Sequence, residues 1–153
     1  MIVREADRND MPSVLVLIKE LATFENAANE VELTLTNLQE DGFGNTKLFN
    51  CLVAEQGNEI VGMALYYYRY STWKGKTIYL EDIVVKQNNR RNGVGSKLFC
   101  TLANKCKKEG LKRLEWQVLD WNVTAIEFYK KYKSELGHEW INCKLTEAQL
   151  KEF

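Results

Sequence analysis

The sequence predicts a single α/β domain of the α+β kind over residues 1–153, with a mixed, mostly antiparallel central sheet flanked by helices. Three observations predict it. Short β-branched and apolar runs, separated by turn residues, crowd the middle of the chain between Leu48 and Val85. Helix-period apolar patterns lie on both sides of that block, over residues 11–23 and 95–108. Neither an internal repeat nor a Pro/Ser/Gly-rich linker divides the chain.

Element by element, Ile2 to Glu5 reads as a first strand. Asp10 ahead of Met11-Pro12 reads as the cap of a helix whose apolar stripe is Val14, Leu15, Leu17, Ile18 and Leu21. Thr34 or Thr36 can cap a second helix that ends at Gly42. Leu48–Glu55, Ile60–Tyr70 and Thr77–Val85 follow as three strands joined by short turns, the pattern of an antiparallel meander. Gly95–Lys108 is a helix, Arg113–Leu119 a strand, Thr124–Tyr132 a helix and Trp140–Lys144 a last strand. Thr146 and Gln149 can cap a short terminal helix.

Composition narrows the function. Lys+Arg and Asp+Glu both number 21, so no net field draws the chain to nucleic acid or an anionic membrane. Arg4 already charges the first residues, which argues against a secretory leader, and no run approaches the ~18 apolar residues of a membrane span. The four cysteines form no Cys-x-x-Cys pair, and Cys100 and Cys106 fall on different faces of one helix. They read as reduced thiols of a cytoplasmic protein, and His138 cannot complete a zinc site with them, so no metal is expected.

The segment Arg90-Arg91-Asn92-Gly93-Val94-Gly95-Ser96 lies between an apolar strand and an amphipathic helix. Glycines permit close backbone approach, successive N–H groups at a helix start suit a phosphate, and two arginines add charge. The dinucleotide fingerprint fails because Leu98 stands at its third glycine, and the Walker pattern fails for want of Gly-Lys-Ser/Thr.

Arg-x-x-Gly-x-Gly (Arg90, Gly93, Gly95) after three strands, and Asn-x-x-Ala-x-x-Phe-Tyr (Asn122, Ala125, Phe128, Tyr129) in the next helix, resemble the GNAT superfamily of N-acetyltransferases. Leu21-Ala22-Thr23-Phe24-Glu25, Tyr70-Ser71-Thr72-Trp73-Lys74-Gly75, Tyr79-Leu80-Glu81-Asp82 and Leu119-Asp120-Trp121-Asn122 are similar to its diamine acetyltransferase branch, and the resemblance runs from Arg4 to about Trp140. It implies the acyl-CoA N-acyltransferase fold, acetyl-CoA as cosubstrate and a homodimer. The implied cofactor contacts are Ile83, Val84 and Val85 along the strand, Arg90 to Ser96 in the loop, and Asn122, Ala125, Tyr129 and Lys131 beyond it. Phe24, Glu25, Trp73, Glu81, Asp82 and Glu139 are implied for the amine.

A primary amine is cationic at neutral pH and must lose a proton before it attacks a thioester. The resemblance implies Glu81 as the base and Tyr129 as the acid for the leaving thiolate. Ser71 stands where the polyamine enzymes of the branch carry aspartate, which favours a lysine analogue such as thialysine over spermidine or spermine. A peptide or protein N-acetyltransferase and a CoA-binding sensor module are the other readings. Trp73, Glu81, Asp82 and Tyr129 together favour the small-amine enzyme, because a sensor has no use for a proton donor.

Overall fold

β1 (Ile2–Glu5) leads through a 3-10 turn into α1 (Met11–Phe24), and the start of that helix differs from the sequence expectation. Asp10 makes no cap to α1; Asp7 caps the turn before it, accepting from the Asn9 amide at 2.7 Å. Asp10 accepts from the Asp7 amide (2.8 Å) and from both terminal guanidinium nitrogens of Arg4, at 2.7 and 2.9 Å. The reason is burial: an enclosed carboxylate requires a charge partner, and this bidentate pair holds Asp10 below the ordinary carboxylate range. Arg4 Nε also donates to Glu55, so one guanidinium ties β1, β2 and the first helix together.

The computed structural model describes residues 1–153, which form two compact units, Met1–Gln117 and Val118–Phe153. In the first unit, α2 (Leu35–Phe43) is capped by Thr34 as expected. β2 (Asn50–Gln56), β3 (Glu59–Ser71) and β4 (Gly75–Val85) form the expected antiparallel meander, with β1 antiparallel on the β2 edge. After α3 (Val94–Lys108), β5 (Leu114–Glu115) pairs parallel to β4, completing a sheet in the order β1-β2-β3-β4-β5. The fold is the mixed, mostly antiparallel sheet with flanking helices that the sequence predicts.

Alternation along the strands sends side chains to two faces. On one, Met11, Val14, Leu17 and Leu38 of the helices cluster with Val53, Met63, Leu65 and Val84 of the sheet. On the other, α3 settles over Gly62, where an added Cβ would come within 2.9 Å of the Val84 carbonyl and 3.2 Å of Leu98 Cδ1. A methyl group there would crowd the Val84 carbonyl and force the Val94 and Leu98 side chains to shift by a few tenths of an ångström.

β5 is shorter than the expected Arg113–Leu119: its ladder holds only Ile78↔Leu114 and Tyr79↔Glu115. Beyond Tyr79 the β4 edge leaves β5, and without that partner the neighbouring chain has no ladder to continue. In the second unit, α4 (Val123–Lys130) and α5 (Glu147–Leu150) form, the latter capped by Thr146. The expected strand at Trp140–Lys144 does not, since no neighbouring strand takes up its backbone groups; Trp140 and Ile141 stand 83% and 89% exposed. No helix is long and apolar enough to cross a membrane.

Candidate active site

The β3–β4 ladder contains one irregularity. Leu80 pairs with Tyr66 and Asp82 with Leu65, so Glu81 has no partner across the strand: it is the extra residue of a β-bulge. A regular strand sends consecutive side chains to opposite faces. Here the extra residue lets both carboxylates of Glu81-Asp82 serve the α1 side of the sheet, where Asp82 shares the face of Leu65 and Glu81 meets Tyr67. The Tyr67 hydroxyl donates to Glu81 Oε2 at 3.1 Å. Burial, then the Glu81 charge, pushes that hydroxyl up to about 12, so it remains a donor throughout the neutral range.

Asp82 is half-buried, and burial together with the charges of Glu81 and Glu25 raises it to about 6. Glu25, just past the end of α1, is raised by burial as well. Three carboxylates therefore concentrate negative potential at one place, a setting that attracts a cation. The folded chain holds the Asp82 proton more tightly than an unfolded one, so the ionised form costs folding free energy above pH ~6, and that cost disappears as pH falls below the ordinary aspartate range.

The glycine-rich loop begins where β4 ends. Arg91 (φ +62°) and Gly93 (φ +79°) both take left-handed backbone, which turns the chain sharply into α3. The amides of Val94, Gly95 and Ser96 precede the first intrahelical bond, donated by the Lys97 amide to the Gly93 carbonyl at 3.0 Å, so they point outward at the positive end of a 15-residue helix. Asn92 lies exposed in the same turn. Arg90 is partly committed: its Nε donates to the Val85 carbonyl at 3.0 Å, and its guanidinium lies 5.7 Å from the Phe24 ring centroid. Phe24 and Arg90 also border a groove of about 1030 Å³ between α1 and residues 86–90. Ile83, Val84 and Val85 lie on the stretch of β4 that β5 does not pair.

Trp73 is not brought to the carboxylates. It sits 81% exposed at the tip of the β3–β4 hairpin, six residues of β4 from Glu81, or about 20 Å of extended chain. Ser71 Oγ accepts from the amides of Trp73 and Lys74 (3.2 Å each), so its hydroxyl closes the hairpin turn.

In the second unit, Asn122 caps α4 by accepting from the Ala125 amide at 3.1 Å. Tyr129 is buried, its ring 5.2 Å from Phe128, and its carbonyl accepts the Ser134 hydroxyl. Lys131 ends the helix and is exposed; Glu139 lies exposed in irregular chain. Sequence reasoning missed Tyr67, although its spacing from the core residues Met63 and Leu65 puts it on their face.

The model of the acetyltransferase (GNAT) family matches residues 16–133. The chain is 44% identical to thialysine N-epsilon-acetyltransferase of Bos taurus over 138 residues, 85% of this chain and 81% of that protein. It is 38% identical to spermidine/spermine N(1)-acetyltransferase-like protein 1 of Homo sapiens over 83% of this chain and 19% of that protein. Among solved structures, an aminoglycoside acetyltransferase from an uncultured soil metagenomic sample superposes with a TM-score of 0.78 at 23% identity, covering 95% of both chains. With Arg-x-x-Gly-x-Gly at the start of α3 and a bulged, acidic β4 leading into it, the chain belongs to the GNAT family of acetyltransferases.

Proposed function

We propose that the protein transfers an acetyl group from acetyl-CoA to the primary amine of a small cationic metabolite, thialysine or a related lysine analogue. The observation that carries this reading is the bulge that turns Glu81 and Asp82 to one side of the sheet, beside Glu25. Relatives named for thialysine, 44% and 41% identical, support the choice of amine.

Acetyl-CoA supplies a thioester carbonyl open to attack. The outward amides at the start of α3, with Arg91 and Ser96, hold its pyrophosphate. Glu81, steadied by Tyr67, binds the incoming ammonium and removes its proton through water. An N–H within Ile83–Val85 donates to the oxyanion that develops during acyl transfer, and the Tyr129 hydroxyl gives a proton to the departing thiolate. Asn122, Ala125 and Lys131 flank the same cosubstrate and Glu139 lines the amine site, while Trp73, which lies far from its own subunit's carboxylates, serves the amine site of the other subunit in a cytoplasmic homodimer. A purely monomeric mass in light scattering would remove the dimer from this picture.

Gly93→Val isolates the loop. Nothing lies within 4 Å of an added Cβ, but its φ of +79° is strained for any β-branched residue, so the turn distorts without a clash in the core. CoA affinity by calorimetry is expected to fall about tenfold or more in a folded protein; unchanged affinity would put the pyrophosphate elsewhere. The amine is tested by acetyl-CoA turnover with thialysine, lysine, ornithine, spermidine and putrescine. Thialysine is expected to give the highest kcat/KM. A strong preference for spermidine would overturn the choice, and binding of CoA with no turnover of any amine would favour a sensor.

A further inference from the structure

We propose that Arg69 and Glu115 read the amino-acid end of the acceptor, Arg69 taking its α-carboxylate and Glu115 its α-ammonium, while the amine to be acetylated lies at Glu81. This rests on the amine-acetylation reading above and adds the feature that separates a lysine analogue from a polyamine.

The register brings these groups to one face. Tyr67 pairs with Tyr79 and Tyr79 with Glu115, and Arg69 is two residues from Tyr67 on the same side of β3. From Glu81 the face continues through the Tyr67 hydroxyl (3.1 Å) and the Tyr67–Tyr79 ring contact (centroids 5.4 Å). It ends at the Arg69 guanidinium, 5.5 Å from the Tyr79 centroid and 4.0 Å from Glu115 Oε1. Because the β4–β5 ladder stops at Tyr79 and Glu115, the pair stands where the two strands part.

Glu115 is incompletely satisfied. Arg113 donates to its Oε1 at 3.0 Å, whereas Oε2 is buried and makes no hydrogen bond. A buried carboxylate oxygen of this kind calls for a donor, and an α-ammonium is one. Arg69 is half-exposed and only loosely engaged by Glu115, so its fork remains able to take a carboxylate.

Length and charge agree. From Tyr79 to Glu81 is about 7 Å along the strand. An extended lysine-type side chain carries its terminal nitrogen about 6 Å from its α-carbon. Two arginines and one carboxylate suit a zwitterion; a polyamine brings a second ammonium for Glu115 but no carboxylate to offset the charge of Arg69.

The test compares kcat/KM for thialysine with that for its decarboxylated diamine, in the wild-type protein and in Arg69→Met, Arg69→Lys and Glu115→Gln. The wild type is expected to prefer thialysine. Arg69→Met should cut the thialysine-to-diamine ratio about 10- to 100-fold through KM, with part of the loss restored in Arg69→Lys. Glu115→Gln should raise KM for both amines, because the diamine keeps the ammonium that Glu115 takes, and so should leave the ratio near the wild-type value. If Arg69→Met keeps the wild-type ratio, or loses both amines in parallel, the recognition pair is wrong. Equal wild-type efficiency on both amines also rejects the pair while leaving acetyl transfer intact. A wild-type protein that acetylates neither amine instead overturns the amine-acetylation reading, and the pair with it.

Discussion

Tyr129→Phe is expected to bind CoA like the wild type while losing about 10²–10⁴-fold in kcat, the usual worth of a positioned proton donor. The substitution removes one oxygen and leaves the buried ring and its contact with Phe128, so α4 should keep its place in the second unit. Single-turnover kinetics locate the loss in the chemical step, and calorimetry with CoA checks that binding survives. A Tyr129→Phe protein with wild-type kcat would falsify the assignment, and the thiolate would then leave without help from that hydroxyl.

Glu81→Gln should lower kcat/KM for the amine about 10²–10³-fold. The loss should be steepest at low pH, where the substrate is most fully protonated and a base matters most. The amide oxygen of the substituted side chain can still accept from the Tyr67 hydroxyl, so the bulge should persist and a structural explanation would be weak. Asp82 adds a second signature. Its carboxyl titrates near pH 6, so as pH falls through that value the site loses a negative charge and the amine KM should rise. Asp82→Asn should show the raised KM at every pH and no inflection near 6. An amine KM in Asp82→Asn equal to that of the wild type at pH 8 would exclude Asp82 from the amine site.

Much of the first unit was legible in local pattern. The meander, the Thr34 cap and the helix after the glycine-rich loop follow from signals within a dozen residues of each other. What could not be read depends on partners distant in sequence. Asp10 has the composition of a cap, yet Arg4 on β1 draws it inward. Trp140–Lys144 has the composition of a strand, yet a strand exists only where a neighbour accepts its backbone groups. The run Tyr-Leu-Glu-Asp marks the site, but nothing in those four residues says that Glu81 is supernumerary. That emerges only when β4 is counted against β3. Arg69 and Glu115 lie 46 positions apart and are brought together only by the pairing of β3 and β5 with β4, so neither stands out alone.

The bulge also separates what the protein does from what holds it together. Every other β4 residue from Gly75 to Val85 has a named partner on β3, in unbroken register on either side of Glu81. Deleting that residue would close the ladder into a regular one without inverting Asp82, Ile83 or Val84. Such a chain would be expected to fold at least as firmly and to lack its base. The candidate catalytic carboxylate thus occupies the one position of the strand that the architecture does not require, which leaves it open to substitution by selection at little cost to the scaffold.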